Sequence, residues 1–176
     1  FYEHHGIDVQ GTVSALVSNL TSGGLSGGSS ITQQYVKNAL LEEGRIADDN
    51  EKIKRATEQT IARKINEARY AIAVEKTMTK DEILTGYLNL AQFGPSQYGV
   101  ETAAQRYFSK SAKDLTVVEA ATMAGITQNP AQWDPVRHPE ANTERRNVVL
   151  GEMYRSGFIT EAEMKEAQAT PIESYM

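Results

Sequence analysis

The sequence predicts an all-α fold, and three observations carry that reading. No segment alternates apolar and polar residues with period two, the pattern of a half-buried strand. The stretch from Glu51 to Met78 holds no glycine or proline, and Ile53, Ala56, Thr60, Ile61, Ala68, Ala71 and Ile72 trace one face along it. Three threonines each precede a glutamate by three residues: Thr79/Glu82, Thr116/Glu119 and Thr160/Glu163. That spacing marks a capping box at a helix start.

The elements follow in order. Asp8 suits an N-cap, and Val9, Val13, Leu16, Val17 and Leu20 recur at helical spacing. Residues 21–30 (TSGGLSGGSS) break that pattern with four glycines and read as a loop. Ile31, Tyr35, Ala39 and Leu40 restart a helix, and residues 42–50 (EEGRIADDN) read as a flexible polar connection. Taken as one helix, 51–78 would span roughly 42 Å and form a long central helix for the domain. The three capping boxes open helices carrying Ile83, Leu84, Tyr87 and Leu88, then Val117 to Ile126, then Glu161 to Ala169. Gly94-Pro95 separates the first of these from a short helix ending at Phe108. Residues 127–139 hold three of the five prolines and form a loop. Pro139 then suits the first turn of a helix that stops at Gly157. No internal repeat is visible, and residues 1–176 read as one domain.

Composition narrows the function classes. At 176 residues, 40% apolar and 23% charged, the chain can bury a sizeable core. A net charge of -5 gives no sign of nucleic acid as a partner. With no cysteine, disulfide, thiolate-metal and cysteine-nucleophile chemistry drop out together. Three histidines, two of them adjacent, make a histidine-built metal site improbable. No stretch approaches the roughly eighteen apolar residues a membrane span needs. The chain begins with Phe1 and shows no signal peptide, so a fragment or a processed N-terminus is expected.

Four constellations could carry chemistry. Gly27 to Asn38 (GGSSITQQYVKN) is a glycine-rich loop feeding a helix N-terminus, where free N–H groups and the dipole suit an anion. Ser30, Gln34 and Lys37 fall on one helical face, a set that suits a phosphate-bearing sugar. A simple loop with an N-cap serine is the plain alternative, and the spacing is not that of a P-loop. In Arg63-Lys64-Ile65-Asn66-Glu67, two cations flank one carboxylate at i,i+4 and i,i+3. Such a set could neutralise a diphosphate leaving group, or be a solvated ion-pair face. The remaining two are Phe1 to Gly6, with its adjacent histidines, and Arg145 to Leu150. Neighbouring arginines point about 100° apart on a helix, so at most one of Arg145 and Arg146 faces a given site.

Together and in this order, these blocks resemble the peptidoglycan glycosyltransferases of class A penicillin-binding proteins and monofunctional cell-wall transglycosylases. Phe1, His4 and Gly6 match the end of that family's Glu-Asp-x-x-Phe-x-x-His-x-Gly motif. Gly27 to Gln34 matches Gly-Gly-Ser-Thr-Ile-Thr-Gln-Gln with Ser30 for threonine, and Arg63, Lys64 and Glu67 match Arg-Lys-x-x-Glu. Lys80 to Asn89 and Arg145 to Leu150 match two further blocks.

The resemblance implies a lysozyme-like fold with a larger lobe and a smaller membrane-facing jaw. It implies polymerisation of lipid II into β-1,4 glycan strands with release of undecaprenyl diphosphate, and sensitivity to moenomycin. Ser29, Ser30, Gln33, Gln34, Lys37, Arg63, Lys64 and His4 would bind sugar and diphosphate, and Glu67 would be the second, supporting glutamate. The primary base would lie four residues before Phe1, so the chain alone is expected to be inactive or nearly so. A divalent cation, Mg or Mn, could assist at the diphosphate. The resemblance places the protein on the outer face of a bacterial membrane, anchored by a segment not present here, and is compatible with a C-terminal transpeptidase domain in the parent chain. Many relatives carry a basic residue where this chain has Gln59, and Arg55 could substitute. Leu20 and Leu25 are candidates for shallow membrane contact.

Two other classes stay open at this level. A lytic, lysozyme-like glycosidase needs a proton donor, but a Lys37/Arg63/Lys64 cluster has no purpose on a substrate without a diphosphate. A non-catalytic module that binds lipid-linked precursors is the third.

Overall fold

A computed structural model describes residues 1–6 and 28–176. Among them the chain forms eight α-helices and two short 3-10 helices, with one isolated antiparallel bridge, Gln92 to Tyr98, and no strand. The helices are α1 (Ile31–Ile46), α2 (Asn50–Thr57), α3 (Ile61–Val74), α4 (Lys80–Leu90), α5 (Val100–Phe108), α6 (Val117–Ile126), α7 (Pro139–Arg155) and α8 (Glu161–Ala169). No described helix is long and apolar enough to cross a membrane. The helix expected around Val9 to Leu20, most of the loop before Gly28, and Leu20 and Leu25 lie outside the described residues.

Capping chemistry sets most of these boundaries. The boxes at Thr116/Glu119 and Thr160/Glu163 form in full, and a third joins Ser30 to Gln33. At Thr79 the reciprocal bonds also form: Thr79 N–H donates to Glu82 Oε2 at 2.7 Å, and Glu82 N–H to Thr79 Oγ1 at 3.2 Å. Pro139 opens α7, and Gly157, at φ 76°, follows its end.

The expected long central helix is two helices. Glu58 leaves helical geometry at ψ 146°, and Thr60, at φ -120° and ψ 149°, caps α3 by accepting from Arg63 N–H at 3.1 Å. Thr60 has no glutamate three residues on, and no glycine or proline marks the break, so the pattern gave no warning. The expected flexible connection over 42–50 is also corrected. Helix α1 continues to Ile46, and Asp49 caps α2 by accepting from the N–H groups of Glu51 and Lys52.

The described chain divides into two compact units, Phe1–Leu90 and Ala91–Met176. In the first, α1 packs on α2, α3 and α4 around Val36, Ala56, Ala71, Ile83 and Tyr87. Gly86 permits the closest approach: a Cβ there would lie 2.6 Å from the Tyr35 ring. In the second unit, α7 packs on α6 and α8 through Ala121, Leu150, Ile159 and Ala167. Burying Leu150 alone contributes about 1.5–3 kcal/mol.

Arg146 sits inside that second unit, 1% exposed. It donates to the carbonyls of Gln168 and Thr170, to Asn147 Oδ1 and to Tyr175 Oη, so its charge is satisfied by the chain end it holds down. Such burial requires every donor to find an acceptor. The twin-arginine block is thus a clamp on the C-terminal segment, with Arg146 inward and Arg145 only half-buried.

Candidate functional site

The site is built in the first unit, where the N-terminal hexapeptide, the start of α1 and helix α3 meet. Gly6, at φ 88°, passes so close to α3 that a Cβ would lie 2.9 Å from the Ala71 carbonyl atoms. Its own carbonyl accepts from Ser30 Oγ at 2.6 Å. Ser30 also caps α1, and Gln33 Oε1 accepts from Ser30 N–H at 2.9 Å. Both residues are buried, so their side chains are committed to the fold and hold Ser29 at the helix entrance.

From Ser29 a continuous set of hydrogen bonds runs across the site. Lys64 Nζ donates to Ser29 Oγ at 2.5 Å and to Glu67 Oε1. Arg63 donates from NH1 to Glu67 Oε2 at 2.5 Å and from Nε to the Glu58 carbonyl at 2.6 Å. The Glu67 side chain is 4% exposed, while Arg63 and Lys64 are 18% and 40% exposed. One buried carboxylate therefore organises two cations that still reach solvent, and Arg63 ties α3 to the end of α2.

Beside this network lies a cleft of about 450 Å³. Its walls include Lys37 and Leu40 of α1, Lys52 and Arg55 of α2, and Ala62, Arg63, Glu67 and Tyr70 of α3. Four cations line it (Lys37, Lys52, Arg55, Arg63) against three carboxylates (Glu43, Glu58, Glu67), so the lining carries a positive excess next to an apolar wall. Those are the demands of an anion with an apolar substituent.

Of the residues singled out in the sequence, Arg63, Lys64, Glu67 and Ser29 converge in one network, and Lys37 faces the same cleft. Gln34 does not line it: Nε2 donates to the Ser29 carbonyl at 3.3 Å, and Oε1 accepts from Tyr87 Oη at 3.5 Å. Ser30, Gln34 and Lys37 thus share a helix but not a cleft.

His4 does not line the cleft either. Its carbonyl accepts from Lys80 Nζ, and its ring stands edge-on to Phe1 at 6.1 Å. Lys80 also donates to Glu75 Oε1 at 2.8 Å and lies 4.5 Å over the Phe1 ring, and Thr32 donates to the same Glu75 oxygen at 2.5 Å. The motif residues Phe1, His4 and Lys80 therefore lock the hexapeptide to the starts of α1 and α4. In the sequence Arg55 stands out only as a substitute for Gln59, and no motif marks Lys52 or Tyr70, which also line the cleft.

Glu75 gives this lock a pH dependence. Burial pushes its carboxyl up, but the bonds from Lys80 and Thr32 and the Lys80 charge outweigh burial and hold it below the usual glutamate value. A carboxylate depressed in the folded state contributes stability above its unfolded pKa and loses it as pH falls through the folded value. Glu75→Gln is thus expected to be less stable than the parent at neutral pH. The gap should close below about pH 4 in urea titrations followed by circular dichroism. A gap that stayed constant down to acid would show that the Glu75 charge adds nothing.

A protein-held divalent cation does not fit these donors. Both Glu67 oxygens accept from Arg63 and Lys64, Glu43 accepts from Lys52 at 2.6 Å, and no group of three His, Cys, Asp or Glu side chains suited to a metal occurs among the described residues.

Comparison with known proteins gives the family. A family model described as Transglycosylase matches residues 1–154. The chain belongs to the transglycosylase family. Penicillin-binding protein 1A of Streptococcus pneumoniae is 40% identical over 172 residues, covering 98% of this chain and 22% of that protein. Penicillin-binding protein 1A/1B of Bacillus subtilis is 40% identical over 175 residues, covering 98% and 18%. The crystal structure of penicillin-binding protein 1A from Haemophilus influenzae aligns over 78% of this chain and 16% of that one, with 29% identity and a TM-score of 0.49. The chain spans about a fifth of the length of the curated relatives it matches.

Proposed function

We propose that the protein polymerises lipid II into β-1,4 glycan strands, releasing undecaprenyl diphosphate, during peptidoglycan synthesis. The observation that carries this reading is the cationic, partly apolar cleft organised around the buried Glu67, in a chain of the transglycosylase family. In the reaction, the 4-hydroxyl of an incoming N-acetylglucosamine attacks the anomeric carbon of the growing strand. The bond from that carbon to the diphosphate oxygen breaks with inversion, and the hydroxyl proton passes to a glutamate base. The residues of this chain bear on the leaving group: Lys37, Arg63 and Lys64 stabilise charge that develops on the diphosphate. Glu67 keeps the latter two oriented.

A substrate on a lipid carrier puts the protein at the outer face of a bacterial membrane. A transpeptidase domain elsewhere in the protein belongs to the same reading, as does moenomycin as an inhibitor. A Mg or Mn ion at the diphosphate would have to be held by the substrate, since the donors here do not fit it.

The test is incubation of the intact protein with lipid II, with glycan strands resolved by length and undecaprenyl diphosphate measured. Strand growth with matching release of the lipid diphosphate is expected. Cleavage of finished strands without growth would assign the cleft to a lytic enzyme instead.

A further inference from the structure

Glu75, at the C-terminal end of α3, has no part in the proposed reaction, and it does not line the cleft. Its side chain is 5% exposed. Against apolar packing of the same volume, a buried ion pair contributes little to stability, because desolvation offsets most of its attraction. What Glu75 fixes is geometry. Thr32 Oγ1 and Lys80 Nζ both donate to its Oε1, at 2.5 and 2.8 Å. Thr32 lies in the first turn of α1 and Lys80 opens α4, so one oxygen ties three helices together.

The start of α1 carries three tethers to three places. Ser29 accepts from Lys64, Ser30 donates to the Gly6 carbonyl, and Thr32 donates to Glu75. Lys80 extends the third to the hexapeptide, where it bonds the His4 carbonyl and lies over the Phe1 ring. We propose that Glu75 is a positioning residue for glycan-strand formation. By holding Thr32 and Lys80 it fixes the start of α1, and with it the Ser29 hydroxyl that meets Lys64. A displacement of about 1 Å, even one caused far from the reacting atoms, can cost about a hundredfold in rate.

The inference rests on the lipid II reading of the cleft. Its test is kcat and KM of the intact protein with lipid II, beside an unfolding curve, for the parent, Glu75→Ala, Glu75→Gln and Thr32→Val. Each is made again in a Ser29→Ala background. Glu119→Ala is the control: Glu119 belongs to the second unit, is 1% exposed and accepts from Lys110 at 2.7 Å. Glu75→Ala is expected to lower kcat about tenfold or more with KM within about twofold. Glu75→Gln, which keeps an oxygen acceptor but loses the charge that holds Lys80, should lose less. In the Ser29→Ala background the hydroxyl being positioned is gone, so Glu75→Ala should lower kcat further by less than about twofold. Glu119→Ala should lower the unfolding midpoint and leave kcat within about twofold in both backgrounds. Glu75 and Ser29 share no bond, so such coupling reports positioning, whereas a purely structural role gives equal losses in the two backgrounds. Equal losses, or a Glu75→Ala enzyme with the parent's kcat, overturn the inference and leave the reading of the cleft intact. Should Glu75→Ala not fold, Thr32→Val, which keeps the shape and removes the donor, decides through the same cycle. A parent that forms no strands overturns both.

Discussion

Glu67→Gln is expected to cut glycan-forming turnover of the intact protein by about a hundredfold or more, with the fold retained. The carboxylate is the shared acceptor of Arg63 and Lys64, and a glutamine can accept through only one oxygen. One cation loses its partner, and the chain of bonds from Ser29 to the Glu58 carbonyl is cut at its centre. Removing one member of a fully buried pair costs about 3–5 kcal/mol. Here both cations reach solvent, at 18% and 40% exposed, so water takes up much of that loss and about 1–2 kcal/mol is expected. The measurement is kcat and KM with lipid II beside an unfolding curve. A fall in kcat with KM little changed places the effect in the transition state. Turnover close to the parent's would reduce Glu67 to an ion-pair partner.

Gly6→Ala carries the largest expected effect on stability. The residue sits at φ 88°, where a side chain costs about 1–3 kcal/mol. A Cβ would also meet the carbon and oxygen of the Ala71 carbonyl at 2.9 Å, backbone atoms of a helix that cannot rotate away, so overpacking adds about 1–3 kcal/mol. The hexapeptide would have to lift from α3, breaking the bond from Ser30 Oγ to the Gly6 carbonyl. Gly157→Ala is the control: φ is 76°, but no atom lies within 4 Å of the added Cβ, so only the conformational cost remains. Urea unfolding should separate the two variants by about 2 kcal/mol, with activity lost in Gly6→Ala alone. Equal losses would mean the contact with Ala71 yields easily.

The site was legible in parts. Arg63, Lys64 and Glu67 are close in sequence on one helix, so their mutual contact follows from the 3.6-residue repeat, and the structure shows both ion pairs. The glycine-rich block reads either as an anion-binding loop or as a plain loop with an N-cap serine, and in the structure Ser30 is that cap, with Gln33 turned inward to complete a capping box. Serine followed by glutamine three residues later carries that alternative in the sequence itself. Arg55 had weaker support. The unbroken apolar pattern from Glu51 to Met78 implies one helix, on which Arg55 and Arg63 diverge.

Local chemistry by itself determined the helices and most of their ends. Caps, Pro139, Gly157 and apolar spacing act over four or five residues, so the sequence displays them directly. It also determined that Glu67 is clasped by two cations. Only the tertiary structure decided which helix face meets which neighbour. That choice turned Arg146 inward to clamp the chain end, committed Ser30 to Gly6, and broke the long helix so that α1, α2 and α3 share a cleft. These outcomes depend on contacts between residues 24 to 35 positions apart, such as Gly6 with Ser30, Arg146 with Thr170 and Ser29 with Lys64. The periodicity of one segment cannot encode such pairings, because packing energy is realised only when both partners are in place.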